Sequence, residues 1–509
     1  MMKKLIYILP IFAISFSACK KGFLDVNTTP NQPVAVPPGL ILPTITIATA
    51  YANSNDLGRA ASLLVQHTAG VANQVAAYDV FLLDGSFDNQ WNSEIYNGAI
   101  NNMRILIDQY ATTSPAFSGI SKLQMAYLFA MTTDLWGDIP YSQAGKGLLF
   151  ETPRFDKQED IYQGNTSLGI QSLFDLVKDG LSDLSKPSAN IPNSTSDLVY
   201  GGDLTKWSRM GNALLIKLAI QISNKNPALA KSTIESVLTG NNFINSNSLD
   251  YEVKFGSSVG NRNPIFDFNN NFRTGDMMLS SRLLALSRSL NDTIRLAKFF
   301  TKPNFPPVTG PARFVAFENG STAASPVLSS TVGGVAYIQR SKYNTYLTGS
   351  PEPLINPATG GQAPIRLITF SQVNFILAEA ALILNTPGSA NTYYQAGITA
   401  SMQKVGMTAT EITNYFATNP TVIPLTGSTQ QMREQIINQK YISLIGNGIE
   451  AYNDYRRTGY PVLALPLNPS GDNPNVIPTR LPYTLNELAR NPLAPKPRPK
   501  TDVKVWWAL

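Results

Sequence analysis

The sequence predicts a mostly α-helical fold with helices arriving in pairs, long irregular loops and few short strands. Three observations carry this. Apolar residues recur at helical spacing over long windows, as in Leu214, Leu215, Leu218, Ala219 and Ile222, and again in Val373, Ile376, Leu377, Ala380 and Leu384. Alternating strand patterns are short, the best being Tyr251 to Phe255 and Val335 to Ile338. Segments rich in Gly, Asn, Ser and Pro fill about 240–365 and 460–509. The composition agrees: 43% hydrophobic and 10% aromatic residues suit a folded chain, while 15% charged residues leave the surface to uncharged polar groups.

In chain order, Met1-Met2-Lys3-Lys4 and the apolar run Leu5 to Ser17 read as a secretory signal peptide, too short to span a bilayer. Small residues at Ser17-Ala18 precede Cys19, the only cysteine, in the manner of a bacterial lipobox whose thiol is acylated. Several acyl chains at that position give stable anchoring without a membrane span. The expected division is a signal peptide over 1–18, a lipidated tether over 19–44 and a single α-helical domain over 45–509. Within it, helices are predicted at about 57–77, 90–110, 118–136, 169–184, 227–238, 278–290, 391–404 and 430–445. Trp136-Gly137-Asp138-Ile139-Pro140 reads as a helix stop.

The chemical inventory excludes much. With one His and one Cys in 509 residues, zinc and transition-metal sites and His-based nucleophilic schemes have no ligands to draw on. His67 sits in the helical pattern Leu63 to His67 and reads as structural. Gly446-Asn447-Gly448-Ile449-Glu450-Ala451 matches a dinucleotide fingerprint on paper, but it follows an amphipathic helix where a strand is required. No cofactor is expected. The net charge of +6 comes from Lys3, Lys4, Lys20, Lys21 and the tail residues Lys496, Arg498, Lys500 and Lys504, so 22–490 is close to neutral. That distribution argues against nucleic acid.

Carboxylates and aromatics remain. Asp84, Asp88 and Glu94 lie near Trp91 in a stretch that also holds Tyr78, Phe81 and Phe87. Tyr78, Phe81, Asp84 and Trp91 read as a sugar or peptide site with acidic partners; the competing reading is a helix entry at Ser86 to Asn92 with acids at its N-terminus, and Trp91, at helical spacing from Tyr96, fits the core better than a ligand platform. Aromatics of the loose region (Phe299, Phe300, Phe305, Tyr337, Tyr343 and Tyr346) lack a helical period and are expected to offer rings to a ligand.

A set of strings in the right order resembles the SusD/RagB family of outer-membrane lipoproteins. They are Cys19 with Phe23-Leu24-Asp25 and Asn27 to Pro33, Asp134 to Tyr141, Asn291-Asp292 with Arg295-Leu296-Ala297, Ile376 to Ala380, Tyr394 to Ile398, Glu450 to Pro461, Pro478 to Tyr483 and Val505-Trp506-Trp507. The resemblance implies helix pairs like tetratricopeptide repeats, no catalysis, and capture of an oligosaccharide or peptide at the cell surface. It also implies a partner, a TonB-dependent outer-membrane transporter of the SusC type. A surface hydrolase using a carboxylate pair is the alternative left by the residues themselves. Arg456, Arg457 and Arg480 with Asp454 are expected to form buried or interface ion pairs that lock the C-terminal loops to the helices.

Overall fold

Prolines open several helices because their missing N–H falls where no intrahelical bond exists. In the computed structural model, which describes residues 36–303, 313–321, 328–332, 335–349 and 360–509, the first helix, α1 (Pro38–Ser54), starts this way and carries Pro43 inside it. It therefore begins ahead of the expected boundary at 45, because Pro38 opens the helix and the proline at 43 is accommodated inside it. The predicted helix over 57–77 is two. Helix α2 (Asp56–Leu64) ends before Thr68–Gly70, which pairs as a strand with Met277–Leu279, and α3 (Asn73–Asp79) follows.

The 90–110 helix also has two parts. Gln90–Ile100 is wound as a π-helix and runs directly into α4 (Asn101–Tyr110). Helix α5 (Pro115–Trp136) is buried almost throughout and ends where Gly137 adopts φ +81°. It packs on α6 (Leu173–Leu184) at a point where both helices carry glycine: a Cβ on Gly119 would lie 2.8 Å from the Gly180 carbonyl oxygen. Pairing continues with α7 (Leu204–Gln221) against α8 (Pro227–Gly240). After α9 (Ser281–Ser289), α10 (Phe370–Ile383) pairs with α11 (Ala390–Lys404), and α12 (Thr429–Ser443) packs on α10. Helix α13 (Gly448–Thr458) opens at Gly448, with Asn447 as its cap. The fingerprint-like glycines thus join two helices.

Side-chain caps mark these starts: Asp203 accepts from Thr205 and Lys206 N–H, and Ser428 with Gln431 forms a reciprocal box. The sheets are two-stranded and antiparallel, Tyr251–Val253 with Ile365–Ile368 and Leu328–Val332 with Val335–Gln339 among them. One large core runs through most of the chain; a smaller one holds Phe375, Tyr394, Ile398, Tyr415 and Ile436.

Charge is buried where α10, α12 and α13 meet. Glu379 and Arg457 are both inaccessible and form two hydrogen bonds of 2.6 and 2.7 Å. Arg433 adds a third at 2.8 Å; Asp454 accepts from Arg457 and Lys440, both at 2.9 Å. Burial alone would push the Glu379 carboxyl up, but the Arg457 and Arg433 charges override it and hold it at about 2. The expected ion pairing thus holds for Arg457. Arg456 and Arg480 are also buried, yet their guanidinium groups meet backbone carbonyls. Arg456 donates to the Asp134 and Thr479 oxygens and lies 3.9 Å over Tyr452, and Arg480 donates to the Trp136 oxygen. They lock the C-terminal segment to the end of α5 by carbonyl capture.

A second tie uses Asp79, whose carboxylate accepts from Asn319 Nδ2 and Gly320 N–H, both at 2.6 Å. Burial pushes its pKa up to about 7 against those hydrogen bonds.

Two outcomes follow from these buried groups. Glu379→Gln removes the counter-charge of Arg433 and leaves Arg457 with Asp454 alone, and lowers unfolding free energy by about 3–5 kcal/mol in urea titrations; a loss below about 1 kcal/mol contradicts the reading. For Asp79 the folded pKa is raised, so the folded state keeps a proton that the unfolded chain releases. Its stabilising effect is complete below pH 4 and is lost as pH rises toward 7. Relative to Asp79→Asn, wild-type stability falls across that window by up to about 1.4 kcal/mol per pH unit. A flat difference between the two proteins over pH 4–7 contradicts it.

Candidate functional site

The break between α1 and α2 at Asn55 gathers polar side chains that a continuous helix would have spread around its circumference. Asn55 Nδ2 donates to Glu94 Oε1 at 2.6 Å, and Arg59 Nη1 donates to Asn55 Oδ1 at 2.8 Å. Arg59 Nη2 also reaches Asp56 at 3.0 Å, and Tyr78 donates to the other Asp56 oxygen at 2.9 Å. Glu94 comes from the π-helix Gln90–Ile100. A second π-helix, Asp267–Phe272, closes the opposite side, with its i to i+5 bond from Arg273 N–H to the Phe268 oxygen. The π-turn is rare and occurs mostly at functional sites, because its extra residue re-aims the side chains on one face. Here two of them flank one cluster.

Rings border the polar groups. The Arg59 guanidinium lies 4.0 Å over the Phe268 ring, Tyr51 and Phe255 are 6.1 Å apart, and Phe272 is 73% exposed. Hydrogen bonding is incomplete: among the described residues, Glu94 Oε2, Gln90 Oε1, Arg59 Nε and Asn270 Oδ1 are buried atoms without a hydrogen-bond partner. Such groups are costly unless something completes them. Burial pushes Glu94 up, and burial together with the Asp267 and Glu94 carboxylates pushes the Tyr51 hydroxyl up. The arrangement offers hydrogen-bond donors, acceptors and flat apolar faces side by side, which suits a neutral polyhydroxylated ligand.

Of the residues singled out from sequence, Cys19 and Phe305 lie outside the described residues. Tyr78 and Trp91 are buried; the Trp91 ring packs edge-on to Trp136 at 5.1 Å and beside Tyr96 at 5.0 Å. Tyr78 touches the cluster through Asp56, from behind. Phe81 and Asp84 line a separate cleft of about 400 Å³ with Ser470, Gly471 and Asp472. There the Asp84 carboxylate takes both arms of Arg498, at 2.7 and 2.6 Å. Tyr343 is buried against Phe300, its ring 5.2 Å away, and shares a small cavity with Arg59. Tyr346 is half-buried, edge-on to Phe299 at 5.0 Å with the Arg366 guanidinium 3.6 Å above it. Tyr337 stands opposite Ser330 in strand register, and its side chain is outside the described residues. Tyr78, Trp91 and Tyr343 thus present almost no surface to a ligand in this conformation.

Sequence reasoning passed over Tyr51, Asn55, Arg59, Phe255, Phe268 and Phe272. Asn55 and Arg59 are hidden in a helical pattern, and only the Asn-rich run Asn269-Asn270-Asn271 beside two phenylalanines hinted at the second π-turn. His67 is fully buried, with Nε2 3.0 Å from the Tyr441 carbonyl, and burial lowers its pKa to about 3. Among the described residues no group of His, Cys, Asp or Glu could hold a metal ion, and no helix is long and apolar enough to cross a membrane.

Helix pairs framing a polar, ring-bordered cluster define a binding protein of repeat-like α architecture. Residues 30–484 match a SusD-like family described as starch-binding and associating with the outer membrane, and the chain belongs to that family. Its members are non-catalytic binding proteins, which removes the hydrolase alternative. A SusD homologue from Bacteroides uniformis is 22% identical, with TM-score 0.71 over 93% of this chain and 99% of its own. A SusD/RagB family protein from Bacteroides thetaiotaomicron is 23% identical, with TM-score 0.70 over 93% and 99%. A chitin-binding SusD homologue from Flavobacterium johnsoniae is 20% identical, with TM-score 0.68 over 93% and 97%. At these identities the likeness shows the fold. No curated protein matches the chain significantly.

Packing at Trp91 sets an expectation: Trp91→Ala lowers stability by about 3–5 kcal/mol, measured by urea unfolding. A loss under 1 kcal/mol would place the ring outside the core.

Proposed function

We propose that this protein is a lipid-anchored capture protein of the cell surface that binds an oligosaccharide and passes it to a TonB-dependent outer-membrane transporter of the SusC type. The single observation that carries the ligand reading is the Tyr51–Asn55–Arg59–Glu94 cluster with its unpaired buried polar atoms beside Phe255 and Phe268, Phe272 standing exposed at the end of the same π-helix as Phe268. Sugar hydroxyls both donate and accept, so one ligand class can complete Glu94 Oε2, Asn270 Oδ1 and Arg59 Nε together. The apolar faces of its rings match Phe268 and Phe272. Relatives described as starch-binding and chitin-binding support the same class. A peptide is the second reading, because backbone amides carry the same donor and acceptor pair.

The anchor is proposed at Cys19, after a signal peptide over 1–18 and with a tether that ends by residue 37. The domain that follows takes up the rest of the chain.

The test is titration of the purified protein with starch and chitin oligosaccharides and with tri- to pentapeptides. Saturable binding of one glycan series, without cleavage products, is expected. Phe272→Ala and Glu94→Gln each weaken it about tenfold, or about 1.4 kcal/mol, with melting temperature held by the exposed Phe272→Ala variant. Binding unaffected by both substitutions removes the site; binding of peptides alone selects the second reading. Purification from outer membranes tests the partner separately, and the absence of any barrel-sized companion contradicts that part.

A further inference from the structure

A second cleft, of about 360 Å³, opens between α9 and α12 and is closed on its third side by the loop after α13. Its volume is in the range of small-molecule pockets, roughly 300–1,000 Å³. Helix α12 presents Glu434 and Asn438, one turn apart, to it. Among the described residues Glu434 has no hydrogen-bond or ion-pair partner, and Asn438 Oδ1 is buried without a donor. Two neighbouring acceptors thus await N–H or O–H groups. Helix α9 contributes Arg282 from the facing wall. One arm of its guanidinium reaches Glu318 at 3.2 Å in a pair about half exposed, and the fork has further donors to give. Leu286, Val462 and Leu463 give the same lining an apolar part; Val462 is 77% exposed.

We propose that this cleft is a second binding site, which takes a small zwitterion with an aliphatic side chain, namely a free apolar amino acid. An ammonium group satisfies Glu434 and Asn438 Oδ1, a carboxylate takes the free arm of Arg282, and the aliphatic side chain covers Leu286 and Val462. Acceptors on one helix, a guanidinium on the facing one and aliphatic side chains in the same lining match the ammonium, the carboxylate and the side chain of that ligand. A neutral sugar has no use for the charge separation, and the cleft offers it no exposed ring: Tyr441 lines it, but is buried with its hydroxyl bound to the Val65 oxygen at 2.7 Å. The site is independent of the cluster at Arg59.

Isothermal titration of the purified protein with L-leucine, N-acetyl-leucine, leucinamide and glucose tests it. Saturable binding of leucine is expected, with N-acetyl-leucine (no ammonium) and leucinamide (no carboxylate) at least tenfold weaker and glucose not bound in this cleft. Glu434→Gln weakens leucine at least tenfold and leaves N-acetyl-leucine unchanged. Val462→Trp fills the cleft from its exposed rim and abolishes binding at an unchanged melting temperature. Arg59→Ala leaves leucine binding intact, which separates this site from the glycan reading. The proposal is overturned if leucine shows no saturable binding at millimolar concentration. It is equally overturned if leucine and N-acetyl-leucine bind alike, or if neither Glu434→Gln nor Val462→Trp alters the leucine isotherm.

Discussion

The Glu379–Arg457 pair is the interaction on which the C-terminal half depends. Two charges with no accessible surface survive only because each has the other and additional partners: Arg433 on the acid, Asp454 on the base, and Lys440 beyond it. That chain of groups ties α10, α12 and α13 at one point. Lys217 repeats the arrangement one helix pair away, bound to Glu450 at 3.0 Å, with Gln372 donating to the same carboxylate at 2.8 Å. Helices packed through such polar joints have a fixed register, since sliding by one turn would strand a buried charge. The arginines of α13 then hold the C-terminal segment: Arg456 spans from the end of α5 to Thr479 and lies 4.8 Å over Trp507.

A rigid scaffold allows irregular backbone elsewhere. The two π-helices and the break at Asn55 all lie around one cluster, so the irregular backbone is concentrated there while the α10–α13 joint is built from regular helices.

How much of this could be read in the sequence depended on the signal. Long amphipathic periods such as Val373 to Leu384 located their helices, and Gly137 marked the stop after Trp136, because both reflect local backbone physics. Periodicity could not show that 90–110 contains a π-segment, since one additional residue per turn shifts the apolar face only gradually. Nor could it show that Asn55 breaks α1 from α2. Aromatic content was a poor guide: Trp91 and Tyr78 carry large rings into the core, whereas the ring most open to solvent at the cluster is Phe272, in an Asn-rich run. Charge counting had a similar limit. Arg498 belongs to the basic tail by sequence, yet it is folded back onto Asp84.

Hydrogen–deuterium exchange with and without a glycan oligomer locates the ligand without assuming a residue. Slowed exchange is expected in 51–59, 90–98 and 266–273, with the α10–α13 joint unchanged. Protection confined to 81–84 and 470–472, or spread over the buried joint with none at the two π-helices, would contradict it.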